Sequence, residues 1–190
     1  HRHNSWRVGG LPRQLYRPAD IDDLAAFLAS LPADEPLLWL GLGSNLLIRD
    51  GGFAGTVILT AQGLSRWHCG PQGEVRVEAG VPCAQLARQC ARAGLAGAAF
   101  WAGIPGTLGG ALAMNAGAFG GETWAAVVAV DTLDRRGQRR QRGPEDYRIG
   151  YRQVSGPPDE WFVAAQFNLA PGDAATEQAR IRELLARRSA

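Results

Sequence analysis

Two kinds of apolar pattern occupy the first sixty positions of the chain. A spacing of three to four, typical of one face of an α-helix, is seen for Ile21, Leu24, Phe27, Leu28 and Leu31. Asp20 directly precedes this pattern, where a carboxylate can cap the first turn, so we expect a helix to begin there. The apolar runs at 36–40 and 56–60 are short and continuous, which predicts two buried strands.

Further strands are predicted in the second half of the chain. Apolar and polar residues alternate at 74–80, which is typical of a half-buried strand. Strands are also predicted at 127–134 and 161–170. Arg135-Arg136-Gly137 follows the first of these, and glycine after two polar residues is typical of a hairpin turn.

Two more helices are predicted, from Pro82 to Gly94 and from Asp173 to Arg188. Cys83 and Cys90 fall on one face of the first of them, which indicates small core residues rather than a redox pair. Together with Cys69 they make three cysteines without a CxxC pair, so a reduced compartment is expected. No metal site is predicted.

Helices and short strands without regular β–α–β spacing predict an α+β fold rather than a doubly wound sheet. The 190 residues are 46% hydrophobic and 20% charged, as expected for one folded domain or two small lobes. A formal net charge of +2 is too small to indicate binding to a polyanion. All 20 basic residues are arginine, which excludes a Walker-type phosphate loop and a pyridoxal phosphate lysine.

The segment GIPGTLGGALAMNAGAFGG, at 103–121, lies in an uncharged run that extends from Ala93 to Gly121. It is long enough to span a membrane, but its glycines and Pro105 make a weakly hydrophobic, poor helix. A connecting loop would be more polar, and a buried irregular backbone needs hydrogen-bond partners. We therefore predict a cradle for a ligand rich in acceptors, such as a pyrophosphate, with the Asn115 amide as an additional donor.

A second glycine segment, GLGSN at 41–45, follows a predicted strand. Its consecutive N–H groups, the Ser44 hydroxyl and the Asn45 amide can form an anion nest. It is not a Rossmann fingerprint, because Leu46 occupies the place of the third glycine.

Together the two segments identify a family. LGLGSNLLIRDGGFAGTVI and AGIPGTLGGALAMNAGAFGGE resemble the corresponding stretches of UDP-N-acetylenolpyruvoylglucosamine reductases, flavoenzymes of peptidoglycan precursor synthesis. NSWRVGG near the start and GYRQ at 150–153 fit the same family in the same order. The resemblance covers nearly the whole chain.

This resemblance implies a two-lobed FAD-binding domain of the vanillyl-alcohol oxidase type, in a bacterial cytoplasmic enzyme. The implied lobes are 1–61 and 62–172, followed by a helix at 173–190 that leads towards a substrate domain. FAD would be bound without a covalent link. The implied cofactor-binding residues are Gly41, Gly43, Ser44, Asn45, Leu46, Ile104, Pro105, Gly106, Thr107, Gly109, Asn115, Ala116 and Gly117.

The resemblance also implies a reaction in two halves. NADPH gives a hydride to FAD, and the reduced flavin delivers it to the enolpyruvyl double bond of the UDP-sugar substrate. Arg152 matches the family's active-site arginine, and a guanidinium suits contact with a carboxylate. Tyr151 beside it is expected to contact the substrate. Neither a nucleic-acid nor a membrane partner is expected.

Some features depart from the family. Its proton-donating serine and catalytic glutamate belong to a C-terminal domain, and no residue of this chain matches them. Val154 stands where the family often has serine, and Ser155 does not match the proton donor. The opening HRHNSWRVGG has no initiator Met, which indicates a fragment. Because the residues of the family's C-terminal domain are not matched, we expect this chain not to turn over alone.

Several alternatives remain open at this point. The arginines at 135–142 are flanked by acidic residues, which favours a solvated hairpin over a nucleic-acid patch. His68-Cys69 could indicate a covalent flavin link, although an exposed turn is the preferred interpretation. The chain could therefore also be an oxidase of the same flavin fold, or an FAD-binding module without catalysis of its own.

Overall fold

The computed structural model describes residue 3 and residues 5–189. Residues 1, 2 and 4, which belong to the opening HRHNSWRVGG, and residue 190 lie outside the described part. The α-helices are α1 (Ile21–Ser30), α2 (Cys83–Arg92), α3 (Leu108–Ala113) and α4 (Ala174–Ser189). The strands are β1 (Pro12–Tyr16), β2 (Leu37–Leu40), β3 (Phe53–Leu59), β4 (Trp67–Cys69), β5 (Glu74–Glu78), β6 (Gly117–Ala118), β7 (Gly121–Glu122), β8 (Val127–Asp134), β9 (Arg139–Arg142), β10 (Arg148–Gly150), β11 (Gln153–Ser155) and β12 (Glu160–Asn168).

Two sheets form the framework. The N-terminal sheet has three parallel strands in the order β1-β3-β2, with α1 as the connection between β1 and β2. The larger sheet has five antiparallel strands in the order β4-β5-β12-β8-β9. The predicted α+β class is therefore confirmed, although the strands of the N-terminal sheet are parallel.

The cap predicted for the first helix is present. The backbone N–H of Asp23 donates to the carboxylate of Asp20 at 2.9 Å, which satisfies one of the N–H groups left free at a helix start. The apolar face of α1 contributes Leu24 and Leu28 to a cluster with Ile58 of β3 and Val163 of β12. Because this cluster contains residues of both sheets, it joins them into one packed body. The proposed lobe boundary at residue 61 lies between β3 and β4, and the division into lobes stays a prediction.

The second core lies between the larger sheet and α2. Cys83 and Cys90 of α2 are completely buried there, as predicted, and burial raises the pKa of both thiols to about 12. Trp101 packs against Phe167 of β12 edge to face, with 4.8 Å between ring centroids. The glycine-rich segment packs against this core.

The sequence analysis missed two kinds of element. β1 is rich in polar residues and has no apolar run, so its pairing with β3 is what makes it a strand. β9 is equally polar, but it pairs antiparallel with β8 and so belongs to the hairpin predicted at 135–142. The short helix α3 lies inside the segment expected to be irregular. The N–H groups of Leu108 and Gly109 donate to the carbonyls of Val81 and Ala79 at 2.9 and 2.8 Å. These tertiary bonds hold a helix that its glycine content alone disfavours.

No helix in the described part of the chain is both long and apolar enough to cross a membrane.

Candidate cofactor-binding site

The two glycine segments found in the sequence meet in the structure. The Ser44 hydroxyl donates a hydrogen bond to the carbonyl oxygen of Pro105. Gly41 lies against Thr107 so closely that a Cβ at position 41 would overlap the threonine side chain. Both segments therefore line one cleft of about 540 Å³.

Most of the predicted site residues line this cleft. They are Gly41, Gly43, Ser44, Asn45, Leu46, Ile104, Pro105, Gly106, Thr107, Ala116, Gly117 and Arg152. Gly106 has a backbone φ of +151°, which only glycine adopts easily. Gly110 also lines the cleft, and a Cβ at this position would meet no atom within 4 Å, because it would project into open space.

Three predicted residues lie elsewhere. Gly109 packs against Ala79 and faces a second cleft. The Asn115 side chain is bonded to neighbouring protein groups instead of offering its amide to the cleft. Tyr151 is 84% exposed and is not part of the cleft wall.

The structure adds wall residues that the sequence analysis missed, among them Trp39, Gly103, Met114, Phe119 and Arg188. Arg188, on the last turn of α4, donates from Nη1 to the carbonyl oxygen of Gly103 at 2.8 Å. Gly103 lies in the quoted glycine-rich segment and could have been included on that ground. No local pattern marks Arg188, because it reaches the cleft only through the packing of α4.

The cleft presents backbone hydrogen-bond donors. Within the described part of the chain, no group accepts a hydrogen bond from the N–H of Gly43, Ser44, Asn45, Gly106 or Thr107. Consecutive N–H groups of this kind form an anion-binding nest. The nest at GLGSN stays a prediction, and Gly106 and Thr107 of the second segment add two N–H groups without a described acceptor.

The charges around the cleft also favour an anion. Arg152 and Arg188 line it, and no Asp or Glu among the described residues does. Arg152 forms no ion pair with a described carboxylate, and its guanidinium carbon lies 6.0 Å from the centre of the Tyr151 ring. Among the described residues, a ligand with negative charge would therefore meet two guanidinium groups and no repelling carboxylate.

A second cleft of about 320 Å³ adjoins the first and shares Gly41, Thr107 and Gly110 with it. Trp39 and Trp161 stack in its wall with 5.3 Å between ring centroids. Trp39 Nε1 and the Tyr147 hydroxyl are buried without a partner among the described residues. A cleft with aromatic and aliphatic side chains in its wall fits a flat aromatic ring.

Burial and neighbouring charges determine the protonation states of Tyr147 and Glu160 in the wall of this second cleft. Burial, assisted by the nearby Glu160 carboxylate, raises the pKa of Tyr147 to about 12, so its hydroxyl remains a donor at neutral pH. Arg142 donates to Glu160 at 2.6 and 3.1 Å and lowers the pKa of that carboxyl. Glu160 is therefore ionised and neutralised by its partner.

A family model described as "FAD binding domain" matches residues 12–141. The chain belongs to the FAD-binding domain family. FAD is the cofactor that this membership indicates, and the predicted FAD-binding α+β fold is confirmed. Among the described residues no group of His, Cys, Asp or Glu is arranged to hold a metal ion.

Two similar proteins carry the same name. The chain is 63% identical over 189 residues to the UDP-N-acetylenolpyruvoylglucosamine reductase of Alkalilimnicola ehrlichii, covering 99% of this chain and 63% of that protein. It is 57% identical over 187 residues to the reductase of Legionella pneumophila strain Philadelphia 1, covering 98% of this chain and 61% of that protein. The predicted resemblance is confirmed, and the chain spans less than two thirds of these relatives.

A solved structure supports the same comparison. The crystal structure of UDP-N-acetylenolpyruvylglucosamine reductase (MurB) from Thermus caldophilus matches with a TM-score of 0.78 at 31% identity. The match covers 92% of this chain and 62% of that one.

The residues present fit FAD. The free N–H groups and the two arginines suit its pyrophosphate, and the aromatic wall of the second cleft suits a flat heterocycle. The open space next to Gly110 is where a side chain would obstruct such a ligand.

Proposed function

We propose that this chain is the FAD-binding portion of a UDP-N-acetylenolpyruvoylglucosamine reductase, which uses NADPH to reduce the enolpyruvyl group of a UDP-sugar to UDP-N-acetylmuramate. The observation that carries the proposal is the cleft between the two glycine segments, with its free N–H groups and Arg152 in one wall. The names of the similar proteins support it. The reaction belongs to peptidoglycan precursor synthesis and is proposed to occur in the bacterial cytoplasm, without a nucleic-acid or membrane partner.

Cofactor binding is assigned to the cleft residues. Gly43, Ser44 and Asn45, with Gly106 and Thr107, would hold the phosphates through their backbone N–H groups. The second cleft would hold an aromatic ring of the cofactor between apolar side chains. Bound FAD would accept and donate the hydride.

Arg152 is proposed to bind the substrate carboxylate. Its guanidinium lines the cleft and is not neutralised by any described carboxylate, so two parallel N–H groups are available for bidentate contact. Charge that develops on the carboxylate in the transition state would be stabilised by the same group. Tyr151 precedes it on the exposed turn and is proposed to contact the substrate at the rim.

The link to the cofactor is proposed to be noncovalent. His68 and Cys69 lie in β4, at the edge of the larger sheet, and neither contributes to the two clefts. Flavin that stays in the supernatant after acid precipitation of the protein would agree with this, whereas yellow precipitate would indicate a covalent oxidase-type link.

Titration of the purified chain with FAD tests the proposal. We expect the flavin fluorescence to be quenched with a single micromolar or tighter site, on the order of −8 kcal/mol. Subsequent addition of NADPH and of the enolpyruvyl substrate tests the assigned reaction. Material that remains colourless and gives no quenching at saturating FAD would refute the proposal.

A further inference from the structure

The side chain of Asn115 links three parts of the molecule. Its Nδ2 donates to the Glu122 carboxylate at 3.0 Å and to the carbonyl oxygen of Gly150 at 3.2 Å. Its Oδ1 accepts a hydrogen bond from the backbone N–H of Trp124 at 3.1 Å. The amide is thus used on both sides by protein groups.

The burial and backbone conformation of Asn115 suit these hydrogen bonds. The residue is 4% exposed and has a left-handed φ of +40°, a conformation that asparagine tolerates better than most residues. It directly precedes Ala116 and Gly117, which line the cofactor cleft. The hydrogen bond from the Asn115 amide therefore connects the cleft wall to the segment that contains Gly150.

Gly150 begins the turn that presents Arg152. The β10–β11 hairpin pairs Gly150 with Gln153, which leaves Tyr151 and Arg152 as a two-residue turn. Arg152 has a φ of +56°, a conformation that is unfavourable for an arginine and needs support from its surroundings.

The hairpin has little other support. It is a separate two-stranded sheet, and all three residues of β10 are exposed. Of β11, Val154 is half-buried and packs against the core. Isolated two-stranded hairpins are marginally stable in water, so one partly buried hydrogen bond at the turn has a large effect on its position.

We propose that Asn115 is a positioning residue that, through the Gly150 carbonyl, holds the 151–152 turn and places Arg152 at the cofactor cleft. This inference rests on the proposed function only for the role of Arg152. The position of the hairpin can be tested without cofactor or substrate.

A double variant removes the hydrogen bond from Asn115 to Gly150 and keeps the other hydrogen bonds of position 115. Asn115→Asp keeps the acceptor for Trp124 but loses both donor bonds and places a second carboxylate beside Glu122. Combining Asn115→Asp with Glu122→Gln restores that pair, because the amide introduced at position 122 can donate to the carboxylate introduced at position 115. In the double variant only the Gly150 carbonyl lacks its donor.

Limited trypsin digestion of the chain, followed by mass spectrometry, measures the hairpin. The chain has no lysine, so trypsin cuts only after arginine, including the exposed Arg148 and Arg152 that flank Gly150. We expect the double variant to be cut there roughly tenfold faster than the wild type, with unchanged rates at sites outside the hairpin. Asn168→Ala, at an exposed position in β12, is the matched control and should digest like the wild type.

Chemical modification of Arg152 measures its placement. With FAD bound, we expect phenylglyoxal to modify Arg152 roughly fivefold more slowly than in the free wild-type protein, whereas Arg148 is unaffected. In the double variant this protection should fall to less than about twofold while the FAD affinity is kept.

The outcomes are distinguishable. Wild-type digestion rates in the double variant, an equal acceleration at all sites, or wild-type protection of Arg152 would each overturn the positioning role, as would a wild type that binds FAD and leaves Arg152 unprotected. A wild type that binds no FAD would instead refute the proposed function, and the trypsin comparison would still decide whether Asn115 holds the hairpin.

Discussion

The hydroxyl of Ser44 donates a hydrogen bond to the carbonyl oxygen of Pro105 and so joins two segments that lie 61 positions apart in the chain. The bond holds together the two segments that line the cofactor cleft. The free N–H groups of the cleft belong to both segments. The cleft is therefore a product of two loops that are held together, and each loop alone would present only part of the donor set.

Ser44→Ala should weaken FAD binding by roughly five- to thirtyfold, because the loss of one hydrogen bond between the walls allows them to separate. The thermal stability should change little, since Ser44 is outside the buried core. Fluorescence titration gives the affinity. Ser30→Ala, which removes a comparable hydroxyl bond to the Phe27 carbonyl at the end of α1, is the control and should leave the affinity unchanged.

Substitution of Gly110 should affect stability and binding in opposite directions. Gly110→Ala places a methyl group in a helix where no neighbour lies within 4 Å, so the free energy of unfolding should rise by up to about 1 kcal/mol. The same methyl group projects into the cleft and should weaken FAD binding. Thermal melts and titrations of one preparation measure both quantities. Gly51→Ala, with equally open surroundings but in a loop, should leave FAD binding unchanged, and tighter binding by Gly110→Ala would contradict the assignment of the cleft.

Removal of the Arg188 guanidinium by Arg188→Ala should weaken FAD binding by roughly tenfold, because the cleft loses one of its two cations and α4 loses its bond to Gly103. The difference from the wild type should be smaller at high salt, as expected for a charge interaction. Arg187→Ala is the control, since Arg187 is exposed and pairs with Glu183 on the same helix. Equal affinities of the Arg188 and Arg187 variants would exclude a role for Arg188 at the cleft.

The stability of the chain should depend on the ionisation of Glu160. Arg142 lowers the pKa of this carboxyl in the folded state, so the stabilising contribution is present above the unfolded pKa and is lost as the pH falls through the lower folded value. We expect the free energy of unfolding to decrease below about pH 4.5, with Glu160→Gln showing a smaller decrease. At pH 7 the substitution should cost roughly 1 to 2 kcal/mol, because the pair is only partly shielded from water.

Urea unfolding between pH 3 and pH 7, a range on either side of the usual glutamate pKa of about 4.3, provides the measurement. Glu145→Gln removes an exposed carboxylate between β9 and β10 and should retain the wild-type pH dependence. An identical acid dependence of Glu160→Gln and the wild type would show that another carboxylate is responsible.

Local patterns in the sequence determined the elements that carry their own signal. The cap and apolar face of α1, the apolar runs of β2 and β3, and the buried face of α2 each depend on residues a few positions apart. The glycine-rich segments were predicted to form a ligand cradle from their composition, which allows close approach to the backbone; the structure places both segments at one cleft, and the cradle stays a prediction.

Only the tertiary structure decided where the remaining site groups lie. Asn115 was predicted to bind the cofactor from its place among glycines, but its amide is satisfied by Glu122, Trp124 and Gly150. Arg188 reaches the cleft because α4 packs beside it, 85 positions away from its partner Gly103. The direction of a long polar side chain depends on the acceptors that the complete fold brings within about 3 Å, and these acceptors come from segments that are distant in the sequence.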